Sequence, residues 1–394
     1  MKLSTRLELI KPSATMVVTE KAAALRGQGV DLIDFGAGEP DFDTPQPIKD
    51  AAAEAMRKGQ TKYTPVGGTD ELRQAIVTKL QRDNGLTYEK KEVLASCGGK
   101  HSLFVAFQAL FGPGDEVLVP GPFWVSYPDM LLLAGARARI VLSQAERDFK
   151  LSPAELDAAI TPQTKAIIIN SPSNPAGAAY DDRELAALLE VIAARNLIVI
   201  SDDVYEMMVY GDFKLGRVLS LRPELRDRTL LVNSVSKTYA MTGWRVGYTA
   251  GPAHVIKAMS TLQGQMTSNP SSIAQAAAAR ALGGAQDSVP PMIREFGRRR
   301  DFVVQRLHAI AGVRCPNPQG AFYVFPNVAA YLNRGSGPQT GDELAAYLIE
   351  TAHVAVVGGS DFGYPEHIRI SYANSLENLE RGLDRIEAAL KKLP

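Results

Sequence analysis

The segment TLLVNSVSKTYAMTGWRVGY, residues Thr229 to Tyr248, opens with an apolar run and breaks abruptly into serines, a lysine and an arginine. The run from Leu230 to Asn233 reads as a buried strand, which puts Lys237 near a strand's carboxyl end. An amine there is costly to desolvate unless it has a partner or a covalent task. Desolvation lowers its pKa, and the neutral amine is the form that attacks a carbonyl. Ser234, Ser236 and Arg245 surround it in sequence. Hydroxyl donors and a guanidinium are suited to holding a phosphate. A lone lysine is ordinarily a surface residue, but Ser-x-Ser-Lys followed at fixed distance by Gly243-Trp244-Arg245 argues for a site.

Short β-branched runs of the same kind lie on either side. Candidate strands are EVLAS (92–96), DEVLVP (115–120), ARIVLS (138–143), KAIIIN (165–170), LIVISD (197–202), TLLVNS (229–234) and RVGYTAG (245–251). Amphipathic stretches separate them. One starts at the N-cap Thr69, carries Leu72, Ile76 and Leu80 at four-residue spacing, and ends at Asn84-Gly85. Strand alternating with helix predicts an α/β fold, a mostly parallel sheet covered by helices. In such sheets ligands gather where the strands' carboxyl ends meet loops.

The C-terminal part differs. A long helical stretch at 286–311 leads to AFYVF (321–325), a helix from 342, VAVV (354–357), IRISYA (368–373) and a last helix ending near 391. This predicts a smaller α+β unit. With 394 residues, two units are the natural division. We place a large domain at 46–285 and a small one at 1–45 together with 286–394, the opening segment having too little pattern to fold alone.

Composition narrows the function. The chain carries 43 basic and 43 acidic side chains, with no basic stripe for nucleic acid. The run Arg298-Arg299-Arg300 sits in a helical pattern and reads as a solvated face. No window is apolar enough to span a membrane. Cys97 and Cys315 are too few for a disulfide framework and lack metal-ligand spacing. Together with the lack of a signal-like apolar stretch, this predicts a cytoplasmic protein without a metal. A nicotinamide dehydrogenase would suit the alternation but not the lack of a GxGxxG turn in the right context.

Further chemistry-bearing residues follow other strands. In CGGKHSLFVAFQAL (97–110), two glycines open a helix whose N-terminal amides suit an anion; a tight turn without a ligand explains the glycines equally well. In IINSPSNPAGAAY (168–180), Asn174 precedes a proline, as turn chemistry alone favours, or aims its amide at a cofactor oxygen. In ISDDVYE (200–206), Asp202 or Asp203 follows a strand, where an acid reaches a ring nitrogen or simply meets solvent. Arg369, inside the apolar strand IRISY, needs an anion, either an internal carboxylate or a substrate's. A nucleophilic amine, an acid, a phosphate cradle and a second cation together suit pyridoxal 5'-phosphate.

The chain resembles the class I, fold-type I aminotransferases, and within them the bacterial aspartate/prephenate branch. The resemblance runs through KPSAT (11–15), GAGEPDFDTP (36–45), KYTPVGGTDELR (62–73), GGK (98–100), PFWVSYP (122–128), SPSNPAG (171–177), SDDVYE (201–206), SKTYAMTGWRVGY (236–248), GAFYVF (320–325) and IRISYA (368–373). It implies an amino-group transfer between an L-amino acid and a 2-oxo acid by ping-pong exchange, with Lys237 joined to pyridoxal phosphate as a Schiff base. Asp202 would pair with the ring nitrogen, Asn174 and Tyr205 with the phenolic oxygen, and Trp124 would stack on the ring. Gly99, Lys100, Ser234, Ser236 and Arg245 would hold the phosphate. Tyr63 is similar to a tyrosine that reaches the phosphate of a neighbouring subunit, which implies a homodimer with shared sites. Arg369 would bind the substrate's α-carboxylate, assisted by Gly38 and Asn174. Lys11, Thr15 and Lys100 would meet a distal carboxylate, favouring aspartate, glutamate and, as acceptor, prephenate. Two departures stand out: Ala176 replaces the threonine of the usual NPTG, and Asp203 stands where glutamate is common. The alternatives are a β-elimination lyase on the same scaffold, or an aminotransferase for aromatic or neutral amino acids.

Overall fold

The computed structural model describes residues 1, 3–10 and 14–393, and within it three sheets form. The strands are β1 (Ile33–Asp34), β2 (Val93–Ser96), β3 (Glu116–Gly121), β4 (Arg137–Leu142), β5 (Thr164–Asn170), β6 (Ile198–Asp202), β7 (Thr229–Ser234), β8 (Gly247–Ala250), β9 (Tyr323–Val324), β10 (Val354–Ala355), β11 (Val357–Gly358) and β12 (Ile368–Ser371). The main sheet has the order β2-β8-β7-β6-β5-β3-β4. Neighbours from β4 to β7 run parallel, and β8 is antiparallel to both β2 and β7. All seven strands expected from the sequence are in it, with ends shifted by a residue or two.

The continuous apolar runs have a simple cause. Along β5, β6 and β7, Ile167, Ile169, Val199 and Leu231 point into one hydrophobic cluster, while Ala166, Ile168, Ile200, Leu230 and Val232 point into another. Side chains alternate between faces, and both faces are covered, so the middle of each strand is apolar on both sides. Helix Asp70–Asn84 covers the first face with Leu72, Ile76 and Leu80, all but fully buried. Thr69 caps it by accepting from the Leu72 N–H, and Gly85 ends it in the left-handed conformation. Each such aliphatic side chain contributes about 1.5–3 kcal/mol by leaving water. Helix Gly99–Leu110 covers the other face with Leu103, Val105, Ala106 and Phe107.

A third cluster gathers the ends of the chain. Ile33 and Phe35 pack with Val304 and Leu307 of helix Val289–Ala309, Val324, Ile370, and Leu383 of helix Leu376–Leu390. Strand β1 pairs in parallel with β10, and β11, β12 and β9 form an antiparallel sheet. The arginine run departs from its expected solvated face. Arg298 is exposed, but Arg299 is buried, bonding to Asp41 at 2.6 Å and Glu295 at 3.0 Å beside the rings of Phe42 and Phe296. Its charge is paired on both sides, which is what makes burial tolerable. No helix of the described residues is long and apolar enough to cross a membrane, and no acid, histidine or cysteine group among them is arranged to hold a metal.

Candidate active site

The carboxyl ends of β5, β6 and β7 open onto a cavity of about 400 Å³. Asn170 and Asp202 end adjacent strands in register, so the sheet itself sets them side by side. The Asn170 amide donates to the Asp202 carbonyl at 3.0 Å, and its oxygen accepts the Asn174 N–H at 3.0 Å. Asp202 lines the cavity while Asp203 turns back to accept from Ser201 at 2.6 Å. Of the two acids, Asp202 is the one that lines the cavity. Burial pushes the Asp202 carboxyl up to about 6, opposed by hydrogen bonds from Tyr127 and the Val204 backbone.

Lys237 reaches the cavity from the turn after β7, and its Nζ donates to the Gly38 carbonyl. Burial draws its pKa down to about 8, partly offset by the negative charge of Glu39; Arg369 and Arg245 push the same way as burial. A poised amine of this kind is uncommon outside functional sites.

Opposite ends of the cavity are cationic. At one end, helix Gly99–Leu110 presents its first backbone N–H groups, with Ser234, Ser236 and Arg245 beside them. Gly98 has φ 95°, and a side chain there would lie 2.5 Å from Arg245 Nη2, so glycine is required for the guanidinium to close on the helix end. Arg245 itself holds φ 55°, which costs on the order of 1 kcal/mol for a residue with a side chain, and its Nη1 donates to the Thr242 carbonyl at 2.7 Å. Aligned amides, hydroxyls and a guanidinium are a donor set for a phosphate. At the other end Arg369, 1% exposed, donates from Nη1 to Asn174 Oδ1 at 3.0 Å and from Nη2 to the Gly36 carbonyl at 2.6 Å. Its Nε, fully buried, has no hydrogen-bond partner among the described residues. The internal carboxylate that sequence left open as its partner is not what it bonds. Lys100 Nζ lies 5.0 Å from the centre of the Trp124 ring, and burial followed by repulsion from Arg245 lowers its pKa.

Of the residues singled out from sequence, Thr15, Gly38, Gly99, Lys100, Trp124, Asn174, Asp202, Tyr205, Ser234, Ser236, Lys237, Arg245 and Arg369 all line this cavity. Tyr63 does not, and its side chain is 91% exposed. Lys11 lies outside the described residues. Sequence reasoning missed Glu39, Tyr127, Asn170, Thr242 and Tyr323, which also line it. Tyr323 pairs its hydroxyl with that of Tyr205 at 3.0 Å and lays its ring 4.6 Å from the Arg369 guanidinium.

The model of the family described as aminotransferase class I and II matches residues 30–386. The chain belongs to the class I and II aminotransferases. It is similar to the probable aspartate/prephenate aminotransferase of Rhizobium leguminosarum bv. phaseoli, 50% identical over 390 residues that cover 98% of each chain. It is also similar to the aspartate aminotransferase of Geobacillus stearothermophilus, 49% identical with 98% of each chain covered. Among solved structures, the aspartate aminotransferase of Rhizobium meliloti superposes with a TM-score of 0.96 at 45% identity over all of both chains. That of Thermus thermophilus with maleate gives 0.93 at 42% identity, covering 99% of this chain and 100% of that one. This aminotransferase therefore has the fold of its family and depends on pyridoxal phosphate. The cavity fits that group on its own terms, offering a phosphate cradle, a buried acid and a depressed amine within one enclosure.

Proposed function

We propose that this aminotransferase moves the amino group of a dicarboxylic amino acid, aspartate or glutamate, to a 2-oxo acid, prephenate being one acceptor. The observation that carries the reading is the placing of two cations, Arg369 and Lys100, on one cavity with Lys237 and Asp202. Pyridoxal phosphate, when bound, supplies an aldehyde for the amine and a ring that draws off the negative charge left when an α-proton departs.

The protein's own residues then have distinct tasks. The backbone N–H groups of Gly99 and Lys100, with Ser234, Ser236 and Arg245, hold the phosphate. Asp202 keeps a negative charge for the ring nitrogen. Asn174 and Tyr205 address the phenolic oxygen, and Trp124 covers the ring face. Arg369 offers its fork to the substrate's α-carboxylate, with Gly38 and Asn174 fixing its approach. Lys237 takes the α-proton at Nζ and returns it; a pKa drawn down to about 8 lets it do both near neutral pH. Because the donor leaves its amino group with the enzyme and departs as a 2-oxo acid before the acceptor takes that group up, ping-pong kinetics follow.

Lys100, with Thr15 and Lys11, is assigned to the distal carboxylate; that the similar Thermus thermophilus enzyme is described with maleate, a dicarboxylate, supports a dicarboxylic substrate. We further assign Tyr63 to the site of a second subunit, making the enzyme a cytoplasmic homodimer with a large domain at 46–285 and a small one at 1–45 and 286–394. In support, one hydrophobic cluster draws most of its members from the small domain, although Tyr205, Met208 and Tyr210 of the large domain join it. The test is to offer the purified holoenzyme single amino acids and follow amine transfer to prephenate and, for donors other than glutamate, to 2-oxoglutarate. Aspartate and glutamate should be preferred donors. Ammonia and pyruvate released without an acceptor would instead identify a β-elimination lyase, and a preference for phenylalanine would overturn the dicarboxylate assignment.

A further inference from the structure

The segment PFWVSYP contributes more than Trp124. Three residues on, in the first turn of helix Ser126–Leu133, Tyr127 is fully buried and its hydroxyl donates to Asp202 Oδ2 at 2.6 Å. The ring of Tyr127 stands edge-on to that of Trp124, with centroids 5.3 Å apart and planes at 88°. The hydroxyl therefore cannot swing away without disturbing Trp124. Tyr127 and Asp202 both line the cavity, so the bond is made at its wall and not behind it. The Asp202 carboxylate takes this bond on Oδ2 and a second from the Val204 backbone N–H, both neutral donors, of which Tyr127 is the side chain; the main chain of Asp202 is held separately by Asn170.

We propose that Tyr127 is a positioning residue of this aminotransferase: its phenol fixes the rotation of the Asp202 carboxylate and stabilises its negative charge, and thereby sets how strongly the protein grips the cofactor's ring nitrogen. The proposal rests on the assignment of Asp202 to that nitrogen. Its physical basis is the strength of a hydrogen bond to a buried charge, which exceeds that of a neutral pair. Burial holds the Tyr127 proton in place, pushing its pKa well above the ordinary tyrosine value, so the phenol remains the donor throughout the working range of the enzyme. A water molecule would supply a donor without a fixed direction; the packed ring supplies the direction.

The experiment compares the affinity of the apoprotein for pyridoxal phosphate and for its deaza analogue, whose ring nitrogen is replaced by C–H, in wild type and Tyr127→Phe. Phenylalanine keeps the ring against Trp124 and removes only the hydroxyl. Tyr127→Phe should weaken pyridoxal phosphate by about 10- to 100-fold, the range expected for one hydrogen bond to a charge. It should weaken the deaza analogue by less than about threefold, and in an Asp202→Asn background the Phe substitution should cost less than about threefold for either compound. Equal weakening of both compounds, full additivity with Asp202→Asn, or no weakening at all would overturn the proposal while leaving Asp202 in its place. A wild-type protein that binds both compounds equally would overturn the Asp202 assignment and the role of Tyr127 together.

Discussion

The Nη1 of Arg369 donates to Asn174 Oδ1 at 3.0 Å, across a separation of 195 residues. The bond joins β12 to the turn after β5 and aims a guanidinium that is buried before any substrate arrives. Arg369→Ala should raise KM for aspartate by about 100-fold or more, as expected when a buried charge pair loses one member. Arg369→Lys should recover only part of this, because an ammonium has no planar fork. Steady-state kinetics on both variants test it; an unchanged KM in Arg369→Ala would remove the carboxylate role.

Lys100 is the second cation, its Nζ 5.0 Å from the centre of the Trp124 ring. Lys100→Ala should lower kcat/KM for aspartate by about 10- to 100-fold, and for alanine by a much smaller factor, because alanine has no distal carboxylate. Equal losses for the two donors would mean that Lys100 supports the phosphate site and not specificity.

Lys237 carries a pH signature. A lysine whose pKa is lowered from 10.5 to about 8 exposes its neutral, nucleophilic form at lower pH than a surface lysine. In the apoprotein the rate of acylation at Lys237, followed by peptide mass analysis, should rise through a midpoint near 8. A midpoint near 10.5 would contradict the depressed amine. Lys237→Ala should reduce transamination by at least about 10⁴-fold, since the proton-transfer group alone accounts for factors of that order.

Behind the site, Lys79 and Glu206 form a buried ion pair, with Asn84 bonding to both partners and Asn233 donating to Glu206 at 2.6 Å. Lys79→Met should destabilise the protein by about 3 kcal/mol, because it leaves the buried carboxylate with only Arg217, 3.8 Å away, as a cationic partner. Adding Glu206→Gln should restore a substantial part of that loss. Denaturant melts of the single and double variants measure both terms; additive losses would show that the pair is not coupled.

His367 predicts an acid-side weakness. Stacked on Phe325 at 4.9 Å, with neither ring nitrogen hydrogen-bonded among the described residues, its pKa is pushed by burial from 6.5 to about 4. The unfolded chain binds this proton at higher pH than the folded one, so stability rises with pH between about 4 and 6.5 and is lost on acidification. The full shift corresponds to at most about 3 kcal/mol. His367→Phe should flatten the fall in melting temperature between pH 6.5 and 4.5, and an unchanged slope would show that other groups govern it.

Strands β5, β6 and β7 were legible because both faces are covered, which leaves long apolar runs that few other environments tolerate. The residues at their ends were legible for the same reason: polarity that begins at Asn170, at Ser201-Asp202 and at Asn233-Ser234 marks where the sheet meets a cavity. Tyr127 and Tyr323 were not, because each sits among aromatic and apolar neighbours where a phenol reads as core. Only the three-residue spacing of Trp124 and Tyr127 at a helix start hinted that two rings share a wall. Arg299 was misread for a related reason, since its partner Asp41 is distant in sequence and invisible to helical periodicity.

The pairing of β1 with β10 has a consequence for biosynthesis. Ile33 leaves the ribosome long before Val354, its parallel partner, exists. The seven-stranded sheet, whose members all lie between these two residues, has everything it needs earlier. Emerging chains should therefore acquire the cradle for the cofactor first, while their oldest residues wait unpaired for nearly the whole of translation. That interval is when a chaperone has most to protect.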